Sequence, residues 1–243
     1  MFFLALTTGA LAEPVVYLDQ AEFLAALDGL GYSHVHEGFE SNTTWGDVRG
    51  LDQAVPAVSS KGLTWTSNNL TSNITTSEGP ARTGQYGFFS YPHGSYSNPD
   101  PGMDCLVPGQ CGDGFRGTAE DGQLVAIGGW LDTNTPYASI GLFLGHYPNN
   151  EIDFGETCTP PDSENCSSNA TIGTMPQFFG VIELAGFDLF EYRELEGKLE
   201  IDGGDIKYIF ADDLYFELDD TYRILGDGFE LSMCVSTWAD SQD

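Results

Sequence analysis

Positive charge is what this sequence has least of. Eight Lys and Arg stand against 37 Asp and Glu in 243 residues, a formal net charge of −29 at pH 7. Such a field repels phosphate backbones and anionic membrane surfaces, which argues against nucleic acid and bilayer partners. It attracts cations, Ca²⁺ above all where carboxylates converge. Histidine is scarce too, with His34, His36, His93 and His146 scattered along the chain. No G-x-S-x-G elbow and no H-E-x-x-H are present, so two common hydrolase signatures are missing. No stretch is long and apolar enough to span a membrane as a helix. The cysteines lack the C-x₂-C spacing of a structural zinc site. No internal repeat is visible.

What the chain does have is apolar and aromatic residues, 41% and 13% of the total, enough to bury a sizeable core. The 30 glycines fall largely where turns are expected. Residues 1–12 run MFFLALTTGALA, an apolar stretch ending in a small-x-small cleavage pattern. They read as the end of a secretory signal peptide without its basic n-region, with the mature chain beginning near Glu13. In an exported chain the two close cysteine pairs are expected to form local disulfides, Cys105–Cys111 and Cys158–Cys166, leaving Cys234 over. The domain plan is a signal segment over 1–12, a sandwich over 13–222 and a C-terminal tail over 223–243.

One helix is expected. Asp19 and Glu22 form a capping box, Phe23, Leu24 and Leu27 follow at helical spacing, and Gly29 and Gly31 end the segment, giving a helix over about 20–30. Strands are expected at His34–Glu40, Gly62–Thr66, Gln85–Tyr91, Leu124–Leu131, Ala138–Leu144, Phe178–Leu184, Phe187–Leu195 and Lys207–Leu218, each apolar-rich and bounded by turn residues. Strands recurring without intervening helices imply an all-β antiparallel sandwich of jelly-roll, lectin-like type. Ser67–Thr83, Pro92–Gly114 and Tyr147–Pro176 read as long loops, where binding commonly resides.

The sharpest local signal is YIFADDLYFEL, Tyr208 to Leu218. On a regular strand Tyr208, Phe210, Asp212, Leu214, Phe216 and Leu218 share one face, and that face is expected to be core. Asp213 would then face the other way. A carboxylate at the edge of such a face needs a partner. With basic residues so few, either calcium supplies it or Asp212 accepts backbone N–H groups at a strand end. The second signal is HEGFESNTTW, where a strand ends in Phe39-Glu40. An early Phe-Glu paired with a late Asp-Asp resembles calcium-binding jelly-roll modules, several carbohydrate-binding-module families among them. That resemblance implies neighbouring first and last strands and a structural Ca²⁺ held by Glu40, Asp212 and Asp213.

A broader resemblance runs through YLDQAEFLAAL, HEGFE, AIGGWLDTNTP, FFGVIELAGFDLFEYRELEG and FADDLYF. These are similar to exported bacterial proteins of the PEP-CTERM type, which are lectin-like sandwiches of largely unknown function. The family's terminal Pro-Glu-Pro, hydrophobic helix and basic tail are absent, and ILGDGFELSMCVSTW stands there instead. This ending is similar to short Asp-Gly-Phe-Glu…Trp endings of some secreted gammaproteobacterial proteins.

His34 and His36 lie at i, i+2 on one strand face, a spacing that can ligate metal but is more often incidental. Were the chain a hydrolase, Glu183, Glu191 and Glu194 would be its acid and base candidates; an outward polar sheet face accounts for them more simply. Trp45, Tyr96, Tyr137 and Tyr147 are rings in loops that could stack on sugars or cover the rim of the core. The expected function is a secreted, calcium-stabilised, non-catalytic binding protein for glycan or cell-surface material. A structural, self-assembling surface protein is the alternative, and a glycan-cleaving enzyme a more distant one.

Overall fold

Residues 13–68, 72–91, 113–133, 139–146, 149–154, 170–171, 176–195 and 209–219 are described in a computed structural model of the chain. Two antiparallel sheets face each other, as the spacing of apolar runs and turn residues implies. The strands are β1 (Val15–Tyr17), β2 (Val35–Glu37), β3 (Ala57–Ser60), β4 (Leu63–Ser67), β5 (Asn73–Ser77), β6 (Gly87–Tyr91) and β7 (Gly114–Ala119). They continue with β8 (Gln123–Thr133), β9 (Ser139–Phe143), β10 (Ala170–Thr171), β11 (Gln177–Phe187), β12 (Leu189–Leu195) and β13 (Ile209–Asp219). One sheet runs β1-β11-β8-β13-β6-β5, with β2 also pairing to β13; the other runs β10-β9-β12-β7-β4-β3. All-β antiparallel sandwich is therefore the fold class.

Helix α1 (Gln20–Leu30) follows its capping signals: the Asp19 carboxylate accepts the Glu22 amide at 2.9 Å, and Gly31 closes the helix at φ 83°. Four residues, Asn42–Trp45, make a second, single-turn helix, α2, where a loop was expected. β5 sits inside the stretch read as the Ser67–Thr83 loop. Its polar composition hides a buried strand, because the Thr75 hydroxyl donates to the Val48 carbonyl at 2.7 Å and so satisfies itself inside.

The main core lies between the sheets. Its centre is a ring cluster: Phe39 and Phe88 stack at 4.8 Å, with Trp45, Trp65 and Phe115 packed edge-on against the pair. A smaller core lies on the outer face of the sheet carrying β8, β11 and β13, under α1. There Phe23 and Leu27 pack on Ala126, Phe178 and Ile182. Gly128 and Gly180 make that approach possible: a Cβ at Gly128 would lie 2.6 Å from the Phe178 ring and 3.2 Å from Phe23.

β13 departs from the expected facing. Asp213 has φ 48°, and the register to β8 shifts between Asp212 and Tyr215. This bulge inserts one residue and changes the alternation. Ile209 and Ala211 before it, then Leu214 and Phe216 after it, all belong to the inter-sheet core. Phe210, Asp212 and Tyr215 therefore fall on the opposite, outer side. The single apolar face expected from Tyr208 to Leu218 is thus two half-faces joined at the bulge.

Candidate functional site

The bulge is where two short strands meet along one edge of β13. β6 pairs at Phe210 and Ala211, and β2 pairs at Leu214, Tyr215 and Phe216. The expected neighbouring of the His34–Glu40 segment and the last strand is found in β2. Between the two strands the edge of β13 has no ladder partner from either, and the carboxylates of Asp212 and Asp213 stand beside that break.

Those carboxylates hold the turn that leads into β6. Asp212 Oδ2 accepts the Arg82 and Thr83 amides at 2.8 and 2.9 Å, and its Oδ1 accepts the Asp213 amide at 2.8 Å. Asp213 accepts the Arg82 guanidinium at 2.8 Å and the Thr83 hydroxyl at 2.9 Å, and its Oδ1 lies 2.8 Å from His36 Nε2. Both carboxylates are buried. Glu40, at the surface, accepts the Gln85 and Tyr86 amides on one oxygen at 2.7 and 2.8 Å. Gly84, at φ 65°, turns the chain against it; a Cβ there would lie 2.7 Å from Glu40 Cδ. The three acids chosen as a calcium set thus act on one segment, 82–86: Asp212 and Glu40 through its main-chain N–H groups, and Asp213 through the Arg82 and Thr83 side chains.

As arranged, these acids do not fit a calcium ion. Ca²⁺ takes six to eight oxygens. Here N–H donors and a guanidinium face the carboxylate oxygens instead, and Glu40 serves a separate pair of amides. No group of three or more His, Cys, Asp or Glu side chains suited to a metal occurs among the described residues. The backbone-acceptor alternative describes Asp212. Desolvation pushes its carboxyl up to about 6, against the lowering effect of its three N–H partners, and the neighbouring Asp213 charge adds to the rise.

Around this clamp the outer face of the sheet carries rings and polar tips. The Arg82 guanidinium lies 3.6 Å over the Trp130 ring, and the His36 ring stacks on Tyr215 at 4.6 Å and 14°. His34 meets the same Tyr215 ring edge-on at 5.7 Å. Gln20, at the start of α1, ties the two sides together. Its Oε1 accepts the Trp130 indole N–H at 2.8 Å, and its amide nitrogen donates to the Tyr215 hydroxyl at 2.8 Å. Beside Trp130 opens a hollow of about 190 Å³ bordered by Leu18, Pro176, Gln177 and Phe178. The sequence reading singled out His34 and His36 but missed Gln20, Arg82, Trp130 and Tyr215. They lie on separate elements, and only the strand order brings them together.

The remaining candidates go elsewhere. Trp45 is not a loop ring available to a ligand: it ends α2 and is fully buried against Phe39 and Phe88. Glu191 is buried, its oxygens on Arg116 Nε at 2.9 Å and Arg193 Nε at 2.7 Å. Glu194 is buried, and half-buried Glu183 accepts the Ala185 amide at 2.9 Å. Tyr96, Tyr137, Tyr147, all five cysteines, the segment 1–12 and the tail 223–243 lie outside the described residues. No helix among the described residues is long and apolar enough to cross a membrane.

No protein-family model matches the chain, and no curated protein matches it. Among solved structures it is similar to the K1 cleaved adhesin domain of Lys-gingipain (Kgp) from Porphyromonas gingivalis W83. Identity is 12% and the TM-score 0.36, over 77% of this chain and 99% of that one. A likeness at this level carries no argument about what the chain does.

Proposed function

We propose that this chain is an exported, non-catalytic binding protein that takes glycan or cell-surface material on the outer face of its seven-stranded sheet. The observation that carries the reading is the cross-bonded display of Trp130, Tyr215, His36 and Arg82 around Gln20, partly exposed, with Trp130 also bordering the hollow. Flat rings beside hydrogen-bonding tips suit a sugar, which offers C–H faces to stack and hydroxyls to bond. Cross-bonding fixes these side chains before any ligand arrives, which lowers the ordering cost of binding. The acids of the site are engaged with N–H and guanidinium donors and are read as structural rather than as an acid–base pair.

A glycan array probed with the intact protein, with and without Ca²⁺, tests this. Retention of a defined glycan class, lost in Tyr215→Ala and His36→Ala and insensitive to Ca²⁺, is the expected result. Absence of retention, or retention unchanged in both variants, overturns it.

A further inference from the structure

A second surface lies at the other end of α1, away from the ring cluster. Val15 and Tyr17 of β1, Ile182 and Leu184 of β11, and Ala26 and Leu30 of α1 line a groove of about 370 Å³. Val15 is 51% exposed, Leu30 50% and Leu184 42%, so three large apolar side chains face solvent side by side. Scattered exposed apolar residues are ordinary, whereas a contiguous lining marks an interaction site. β1 ends its sheet, and among the described residues it pairs only with β11, through Val15↔Ile182 to Tyr17↔Gly180. The floor of the groove is thus continuous with a strand edge whose outward N–H and C=O groups can take another strand.

Charge selects the occupant. Glu13 lines the groove, and Glu22 lies one helical turn before Ala26 on the same stripe of α1. Residues 13–48 contain no Lys or Arg, and neither does β11. A second copy would bring acid against acid with −29 on each partner. An anionic membrane surface is repelled in the same way.

We infer that the α1–β1–β11 groove binds an extended, basic, alternately apolar protein segment, which adds to the edge of β1 with its apolar side chains in the groove and its Lys or Arg residues against Glu13 and Glu22. β-Strand addition supplies affinity through main-chain bonds, and the groove supplies selectivity for alternate side chains.

The test uses the full chain and three end-capped octapeptides: alternating Lys-Val, alternating Glu-Val, and all-Lys. Fluorescence anisotropy should show Lys-Val binding, at least tenfold weaker binding of the other two, and loss of at least tenfold on Leu184→Ser or Leu30→Ser. Both positions are exposed, so folding tolerates the changes, and an unchanged melting temperature confirms it. Equal binding of all-Lys assigns the effect to the net charge alone and overturns the inference. So does binding indifferent to both variants. A photo-crosslinker placed at position 184 should capture the Lys-Val peptide. Capture of residues 1–12 of the same chain or of a second copy, with the peptide excluded, overturns it as well.

Discussion

The Asp212 carboxylate and the Thr83 amide are 2.9 Å apart, though 129 positions separate them in the chain. With the Arg82 amide at 2.8 Å on the same oxygen, the contact fixes the turn before β6 to the bulge of β13. A carboxylate does this with two equivalent acceptor oxygens, and an amide cannot. Asp212→Asn places an NH₂ group opposite either the Asp213 amide or the pair from Arg82 and Thr83. The cost is about 1–3 kcal/mol for donors left unsatisfied in a buried place. Chemical denaturation should show this loss. Melting temperature should respond alike to Ca²⁺ and Mg²⁺ at equal ionic strength, before and after the substitution. A Ca²⁺-specific increment that disappears in Asp212→Asn would restore the metal reading.

The same carboxyl gives a pH signature. Its ordinary value is 3.8 and burial raises it to about 6 in the folded state. Between these values the folded chain holds a proton that the unfolded chain has released, so acid favours folding through this group. The contribution is fully present below about pH 4 and is lost as pH rises through about 6. Asparagine does not titrate, so the stability deficit of Asp212→Asn relative to the natural chain should be larger at pH 4.5 than at pH 7.5. Comparing the two chains at each pH cancels the general repulsion among the other acids. A deficit that shrinks on acidification would mean a depressed carboxyl and a clamp driven by charge.

The seat of α1 offers a packing test. Gly128→Ala would put a methyl group 2.6 Å from the Phe178 ring and 3.2 Å from Phe23. Both rings are buried and lie 5.5 Å apart, so moving the Phe178 ring of β11 aside presses it on Phe23 and strains the seat of the helix. Overpacking of this kind costs about 1–3 kcal/mol. Urea denaturation should show it, and amide exchange in α1 should quicken more than in β4 or β7. Exchange that changes evenly across the sandwich would place the strain elsewhere.

Where local chemistry decides structure, the sequence was readable. Asp19 with Glu22 marks the start of α1, and Gly31 its end, so the helix falls where the capping pattern puts it. The apolar runs of β8 and β11 locate one sheet, and that of β12 the other. β7, GFRGTA, was not readable, because its glycines leave no apolar run; they are there for packing, and a Cβ at Gly117 would strike the Phe190 ring. The bulge in β13 was hidden as well. Nothing in ADDL distinguishes a regular strand from one with a left-handed aspartate, and the facing of Asp212 turned on that difference. The need of Asp212 for a partner was legible from scarce positive charge beside an apolar strand. The partner was not, since main-chain N–H groups have no residue-type signature and the Arg82 that joins them is one of only eight cations.

Glu191 decides between a structural and a catalytic reading of the central acids. It is fully buried on β12, with Arg116 Nε at 2.9 Å, Arg193 Nε at 2.7 Å and the Asn68 amide nitrogen at 3.3 Å. Two guanidinium groups converge on one carboxylate, so its charge is needed where it stands. Glu191→Gln keeps the shape and removes the charge that both cations share in a desolvated place. Breaking a buried pair in this way costs about 3–5 kcal/mol. If the carboxylate only balances the two arginines, removing one of them as well should recover part of the loss. Glu191→Gln with Arg116→Met is therefore expected to be more stable than Glu191→Gln alone, because Arg116 is the more accessible of the two and its methylene stem is replaced by an apolar chain of similar length. An acid–base residue would behave otherwise: Gln would leave stability level or raised, since catalytic sites hold strain that neutral replacements relieve. Denaturation midpoints of the three chains separate the cases. A Glu191→Gln chain as stable as the natural one would reopen the enzyme reading.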